Sequence, residues 1–135
     1  MAKITARIKK ELYKTEIHSS SGNVLIADEP ETVGGKNLGF SPTELLASSL
    51  AACTSATLRM YADRKGWDLE EVNLEVSLEV NREEKRTEIH RKIELIGNLD
   101  LAQRDRMLAI ANACPVHKIL SGTIAIHTQL SIYSD

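Results

Sequence analysis

Residues 39–54 read Gly39-Phe40-Ser41-Pro42-Thr43-Glu44-Leu45-Leu46-Ala47-Ser48-Ser49-Leu50-Ala51-Ala52-Cys53-Thr54, and the pattern runs on to Lys65-Gly66. Its first four polar positions are a helix start. Ser41 stands at the N-cap, Pro42 at the first helical position and Glu44 at the third, so the serine oxygen can accept from the Glu44 amide while the glutamate reaches back to the serine amide. The helix should run to about Lys65, with Gly66 supplying the left-handed residue that ends it. From Leu45 to Leu58 no side chain is charged. A helix with no charged face over that length is buried on most sides, and its small residues let neighbouring backbones come close. This predicts a central helix. The stretch is too short, and too often interrupted by Ser and Thr, to cross a bilayer.

On the N-terminal side, residues 4–10 alternate weakly, and residues 13–18 and 24–27 are strand-like, with Ser19-Ser20-Ser21-Gly22 as a turn signal between the last two. On the C-terminal side, Leu74, Val76, Leu78 and Val80 alternate with polar residues, which predicts a half-buried strand. The alternation resumes at Ile89, Arg91, Ile93 and Leu95 after the charged turn Asn81-Arg82-Glu83-Glu84-Lys85-Arg86, giving a hairpin. Asp100 caps a second helix over 101 to about 113. Cys114-Pro115 breaks it, a short helix follows over 116–120, and residues 123–131 alternate as a closing strand. The order β-β-β-α-β-β-α-β, with strands adjacent in sequence, argues for an α+β fold with antiparallel hairpins rather than a parallel βαβ sheet.

The chain has 135 residues, which predicts a single domain over 1–135. Aromatic residues make up 4% of it, so the core must be built from Leu, Ile, Val and Ala. A net charge of −2, with both signs interleaved, gives no field for nucleic acid or for an anionic membrane. Met1-Ala2-Lys3 leads straight into a strand pattern without an apolar leader, and the expected location is cytoplasmic. In a reducing compartment, two cysteines are buried, catalytic or redox-cycling thiols more often than structural staples.

Those two, Cys53 and Cys114, carry whatever chemistry the residues offer. Cys53 lies mid-helix among alanines, where a thiol is often a small buried apolar group and where activation needs a donor or cation from elsewhere in the fold. Cys114 precedes Pro115 as the candidate N-cap of the short helix, facing free amides, and His117 and Lys118 follow closely enough to add positive charge. Cys114-x-x-His117 with Cys53 makes a weak three-ligand zinc pattern, lacking a CxxC or a second ligand pair, so no metal is expected. Ser48 and Ser49 have no nucleophile-elbow context, and Gly34-Gly35 has no phosphate-loop spacing, so no cofactor is expected either.

Two of these segments, Gly39 to Thr54 and Cys114-Pro115-Val116-His117-Lys118-Ile119-Leu120, strongly resemble the OsmC/Ohr superfamily (osmotically inducible protein C and organic hydroperoxide resistance protein), in particular its OsmC-like branch. The first is similar to the family's Pro-x-Glu-Leu helix ending in Ala-Cys, the second to its second cysteine, and the elements between fit in order. The resemblance implies an OsmC-like fold, with an antiparallel sheet and long central helix. It also implies an intertwined homodimer with two active sites at its interface. It further implies a peroxidase in which Cys53 attacks an organic hydroperoxide, Cys114 resolves the sulfenic acid as a disulfide, and a dithiol reductant reopens it.

The resemblance further implies, in peroxidase members, an arginine beside the reactive thiol and a glutamate that holds it, which in Ohr-like members directly follows the proline. Here the glutamate's position is Thr43, and Glu44 comes one later. Glu44 is nine positions before Cys53, about 13.5 Å of helical rise and half a turn away, so the two cannot touch along one helix. Arg7 is the one arginine of the N-terminal strands, with Lys14 as the other cation there; Arg7, Glu44 and His117 are the candidate activating or orienting residues. The competing function is a non-catalytic dimer that binds a small ligand or senses redox state through the same thiols.

Overall fold

The structure, a computed structural model, describes residues 1–131. Strands β1 (Ile4–Ile8), β2 (Thr15–Ser19) and β3 (Val24–Ala27) come first, then helix α1 (Pro42–Lys65) and strands β4 (Asp68–Asn81) and β5 (Arg86–Asn98). Helices α2 (Leu101–Ala111) and α3 (Pro115–Ser121) follow. This is the expected α+β architecture. Its strands fall into two sheets, an antiparallel β1-β2-β3 meander and the β4-β5 hairpin. The chain divides into two compact units, residues 1–51 with 74–92, and residues 52–73 with 93–135.

In the first unit, the meander is registered by Ile4 opposite Ser19 and by Thr15 opposite Ala27. A parallel bridge between Ala27 and Phe40, and a hydrogen bond from the Asp28 amide to the Phe40 carbonyl at 3.1 Å, lead the chain from β3 to the start of α1. Gly39 permits that approach, because a Cβ there would stand 2.0 Å from the Ile26 carbonyl oxygen. Asp28 anchors the loop between: its carboxylate is buried and accepts from the amides of Tyr13 (3.1 Å), Glu29 (2.7 Å) and Leu38 (3.1 Å).

Helix α1 begins as its sequence predicts. The Ser41 amide donates to Glu44 Oε1 at 2.8 Å, and the Glu44 amide donates to Ser41 Oγ at 3.3 Å. Gly66 follows Lys65 with φ +69°, the left-handed value that favours glycine. The hairpin keeps its alternation, with Val72, Leu74, Val76 and Leu78 half-buried and the residues between them exposed. Val80 departs from the expected inward face and is exposed, because it stands at the turn end of β4.

The second unit holds the apolar core. Leu58 and Ala62 of α1, Leu69 of β4, Leu99, and Met107 and Ala111 of α2 are all buried in one cluster, with Tyr61, Trp67, Val72, Ile93, Leu95 and Ile110 packed around it. Asp100 and Gln103 form a second reciprocal cap at the start of α2, whose helix stops at Ala111 rather than at the expected 113. The short helix is one residue longer at each end than its sequence suggests. The closing strand expected over 123–131 is not formed: those residues have no ladder partner among the described residues and are exposed. Alternation predicts which side chains share a face, whereas a strand also needs a neighbour to take its amides and carbonyls.

Candidate active site around the two cysteines

Cys114 is the N-cap of α3, as its place before Pro115 predicts. Its backbone is extended (φ −65°, ψ 147°), and its Sγ accepts from the His117 amide at 3.4 Å. The side chain is completely buried. His117 thus reaches the sulfur through its backbone N–H; its carbonyl accepts from Ser121 Oγ at 2.7 Å.

The other side of the Cys114 sulfur faces α1. Thr54 Oγ1 lies 3.7 Å from Cys114 Sγ, joining residues 60 positions apart in sequence. Thr54, Leu58 and Ala62 form a fully buried stripe, one residue per turn, and Thr54 is its polar member. Cys53, the residue before Thr54, is turned by about 100° from that stripe and keeps part of its surface exposed. Its Sγ stands 4.0 Å from Thr57 Oγ1, one turn further on. Both cysteines are free thiols. The fold therefore brings Cys114 against the helical turn that carries Cys53, with the two differing in access: one half-buried, one sealed.

The remaining candidates occupy the first unit. Arg7 lies opposite Glu16 in the β1–β2 ladder and lines a surface hollow with Lys9, Glu11, Lys14 and Glu16. Glu44 is committed to its cap: the Ser41 amide and then the Ser41 hydroxyl hold its carboxyl below the ordinary carboxylate value. In the second unit, three arginines are tied into structure. Arg104 donates to the carbonyls of Leu95 (3.0 Å), Leu99 (3.2 Å) and Gly97 (3.3 Å). Arg59 pairs with Asp63 at 3.2 Å and donates to the Leu69 carbonyl. Arg106 donates to Tyr61 Oη at 3.0 Å, which leads the effects that lower the phenol's pKa. The zinc set weighed from sequence, Cys53 with Cys114 and His117, is not assembled. Among the described residues, the one trio of potential ligands is Glu79, Glu88 and His90, exposed on the hairpin, where Glu88 also pairs with Arg86 at 3.2 Å.

Thr54 is the site residue that the sequence left unread. In an apolar run it looks like a filler; the signal was its place in the i, i+4, i+8 stripe directly after Cys53.

The family model for OsmC-like proteins matches residues 34–129. The chain belongs to the OsmC-like family. An OsmC-like protein of this fold has solved relatives. One, from Psychrobacter arcticus 273-4, is named for osmotic stress induction and a detoxification response; it is 30% identical over 88% of each chain, with a TM-score of 0.77. The OsmC-like protein of Mycoplasma pneumoniae is 22% identical, with 90% of this chain and 88% of that one covered and a TM-score of 0.77. The organic hydroperoxide resistance protein OhrB of Bacillus subtilis is 24% identical, with 90% and 91% covered and a TM-score of 0.62. The last two show a shared fold. No curated protein matches the OsmC-like chain.

Proposed function

We propose that this OsmC-like protein is a thiol-dependent peroxidase that reduces organic hydroperoxides through Cys53 and Cys114. The observation that carries this reading is the placing of unequal thiols about one turn of α1: Cys53 on that turn and half-buried, and Cys114, at the N-cap of α3, sealed against Thr54 of the same turn. A peroxidatic sulfur must meet substrate, whereas a resolving sulfur need only meet its partner. In the first step the Cys53 thiolate attacks the outer oxygen of ROOH; the O–O bond breaks, Cys53 becomes a sulfenic acid, and the alkoxide leaves as ROH after taking a proton from solvent. Cys114 then attacks that sulfur, the S–O bond breaks, and water leaves as the disulfide forms. A dithiol opens the disulfide by exchange and is itself oxidised to a disulfide. The cycle as written needs no metal or cofactor. The names of hydroperoxide resistance proteins in the same fold agree with this substrate class.

The family resemblance supports a homodimer, and so does the surface. Met60 on α1 and Leu108 on α2 are exposed, as are Ile124, Ile126 and Leu130 of the unpaired segment. A second copy of the chain supplies the missing neighbour for that segment. Dithiol-driven turnover fits a reducing compartment, the cytoplasm.

The test is peroxide consumption with cumene hydroperoxide and a dithiol such as dihydrolipoamide. Wild-type protein turns over, Cys53→Ser is inactive, and Cys114→Ser gives a single oxidation without disulfide closure. Oxidation of Cys53 no faster than that of free cysteine would overturn the reading. A hollow of about 250 Å³ lined by Leu58, Ile93, Leu95, Met107, Leu108 and Arg104 favours a second reading, the binding of a small apolar ligand without turnover.

A further inference from the structure

We propose that Thr54 is a positioning residue for Cys114: its hydroxyl and the His117 amide form a two-donor seat for the sulfur in its thiolate form. The inference rests on the peroxidase reading and adds to it the group that makes a sealed cysteine usable as nucleophile and leaving group.

Burial alone works against Cys114. A thiolate enclosed by apolar atoms loses its hydration, which favours the thiol and slows attack on a sulfenic acid. Thr54 Oγ1 at 3.7 Å and the His117 amide at 3.4 Å reach its sulfur from different elements. The amide can only donate. The hydroxyl both donates and accepts, so it can take the S–H of the thiol and, by rotating about its C–O bond, donate to the anion once the proton has gone. Hydrogen bonds to a charged acceptor are worth more than neutral ones, which weights this pair toward the thiolate. Thr54 is itself fully buried, so its hydroxyl is held in the stripe it shares with Leu58 and Ala62 rather than free to swing to solvent.

The same seat serves both directions of the cycle. In closure, the seated thiolate attacks the Cys53 sulfenic acid: an S–S bond forms, the S–O bond breaks, and the hydroxide leaves as water after taking up a proton equivalent to the one the Cys114 thiol gave up. In reduction, an external dithiol attacks the accessible Cys53 sulfur, the S–S bond breaks, and the pair of electrons leaves on Cys114, where the hydroxyl and the amide receive the charge.

The test separates chemistry from packing by two substitutions that remove different parts of the side chain. Thr54→Val keeps the volume of the side chain and removes the hydroxyl; Thr54→Ser keeps the hydroxyl and removes a methyl. Thiolate absorbance, titrated in a Cys53→Ser background, reports Cys114 without any hydroperoxide. Thr54→Val moves that titration upward by about one pH unit or more, and Thr54→Ser leaves it near the parent. With Cys53 restored and one equivalent of cumene hydroperoxide added, Thr54→Val accumulates Cys53 sulfenic acid, trapped with dimedone, because closure slows by about tenfold; Thr54→Ser closes at nearly the parent rate. A titration unmoved by Thr54→Val, or moved more by Thr54→Ser, overturns the proposal and leaves Thr54 a packing residue. Failure of the parent protein to oxidise Cys53 at all overturns the peroxidase reading, while the absorbance titration still decides the seat.

Discussion

Asp28 in the first unit and Leu58 in the second show how single residues hold each unit together. Burial pushes the Asp28 carboxyl up, but the backbone amides of Leu38, Glu29, Tyr13 and Lys36 outweigh it, and the group ends below its ordinary value of 3.8. A folded-state pKa lowered in this way contributes stability above the unfolded value, and that contribution is lost as pH falls through the lower folded value. Urea unfolding should therefore show the parent losing more stability between pH 7 and pH 3 than Asp28→Asn; equal losses would show that these amides do not favour the ionised carboxylate. Leu58 is fully buried at the centre of the cluster in the second unit. Leu58→Ala should cost about 2–5 kcal/mol in the same experiment, and a cost under about 1 kcal/mol would place it outside the core. Residues of this kind differ in how well the sequence announces them. Cys53 and Cys114 are the two cysteines of the chain and stand out by rarity and by motif. Asp28 and Thr54 are common residue types whose roles come from neighbours distant in sequence, and those neighbours cannot be read from local pattern.

Elements with strong local chemistry were legible, and elements whose shape depends on a distant partner were not. The start of α1 is written in Ser41, Pro42 and Glu44, its end in Gly66, and both are found where they were expected. Ser41→Ala should cost about 0.5–2 kcal/mol and fray the first turn, visible as faster amide exchange over 43–46; unchanged exchange there would deny the cap its role. Gly39→Ala should destabilise more broadly, since its Cβ meets the Ile26 carbonyl oxygen and the β3 bridge to Phe40 must shift. The segment 123–131 shows the opposite case: its alternation is that of a strand, yet it pairs with nothing among the described residues. The helix that ends before Cys114 and the one that begins after it were both readable, because Pro115 fixes the break.

For the molecule as a whole, the family was legible from two motifs and is shown by a match over residues 34–129. The proposed homodimer is argued from exposed apolar surface. In sedimentation velocity the protein should run at twice the mass of one chain, and removal of residues 123–135 should weaken that association; a concentration-independent monomer would contradict the dimer. On the proposed reading, folding turns two cysteines, far apart in the chain, into one redox couple. The direct measurement is the intact mass and thiol count of reduced protein after one equivalent of cumene hydroperoxide, followed by non-reducing peptide mapping. Loss of two thiols per chain with a Cys53–Cys114 disulfide within that chain is the predicted result, and retention of both thiols, or a disulfide that links only separate chains, would contradict it.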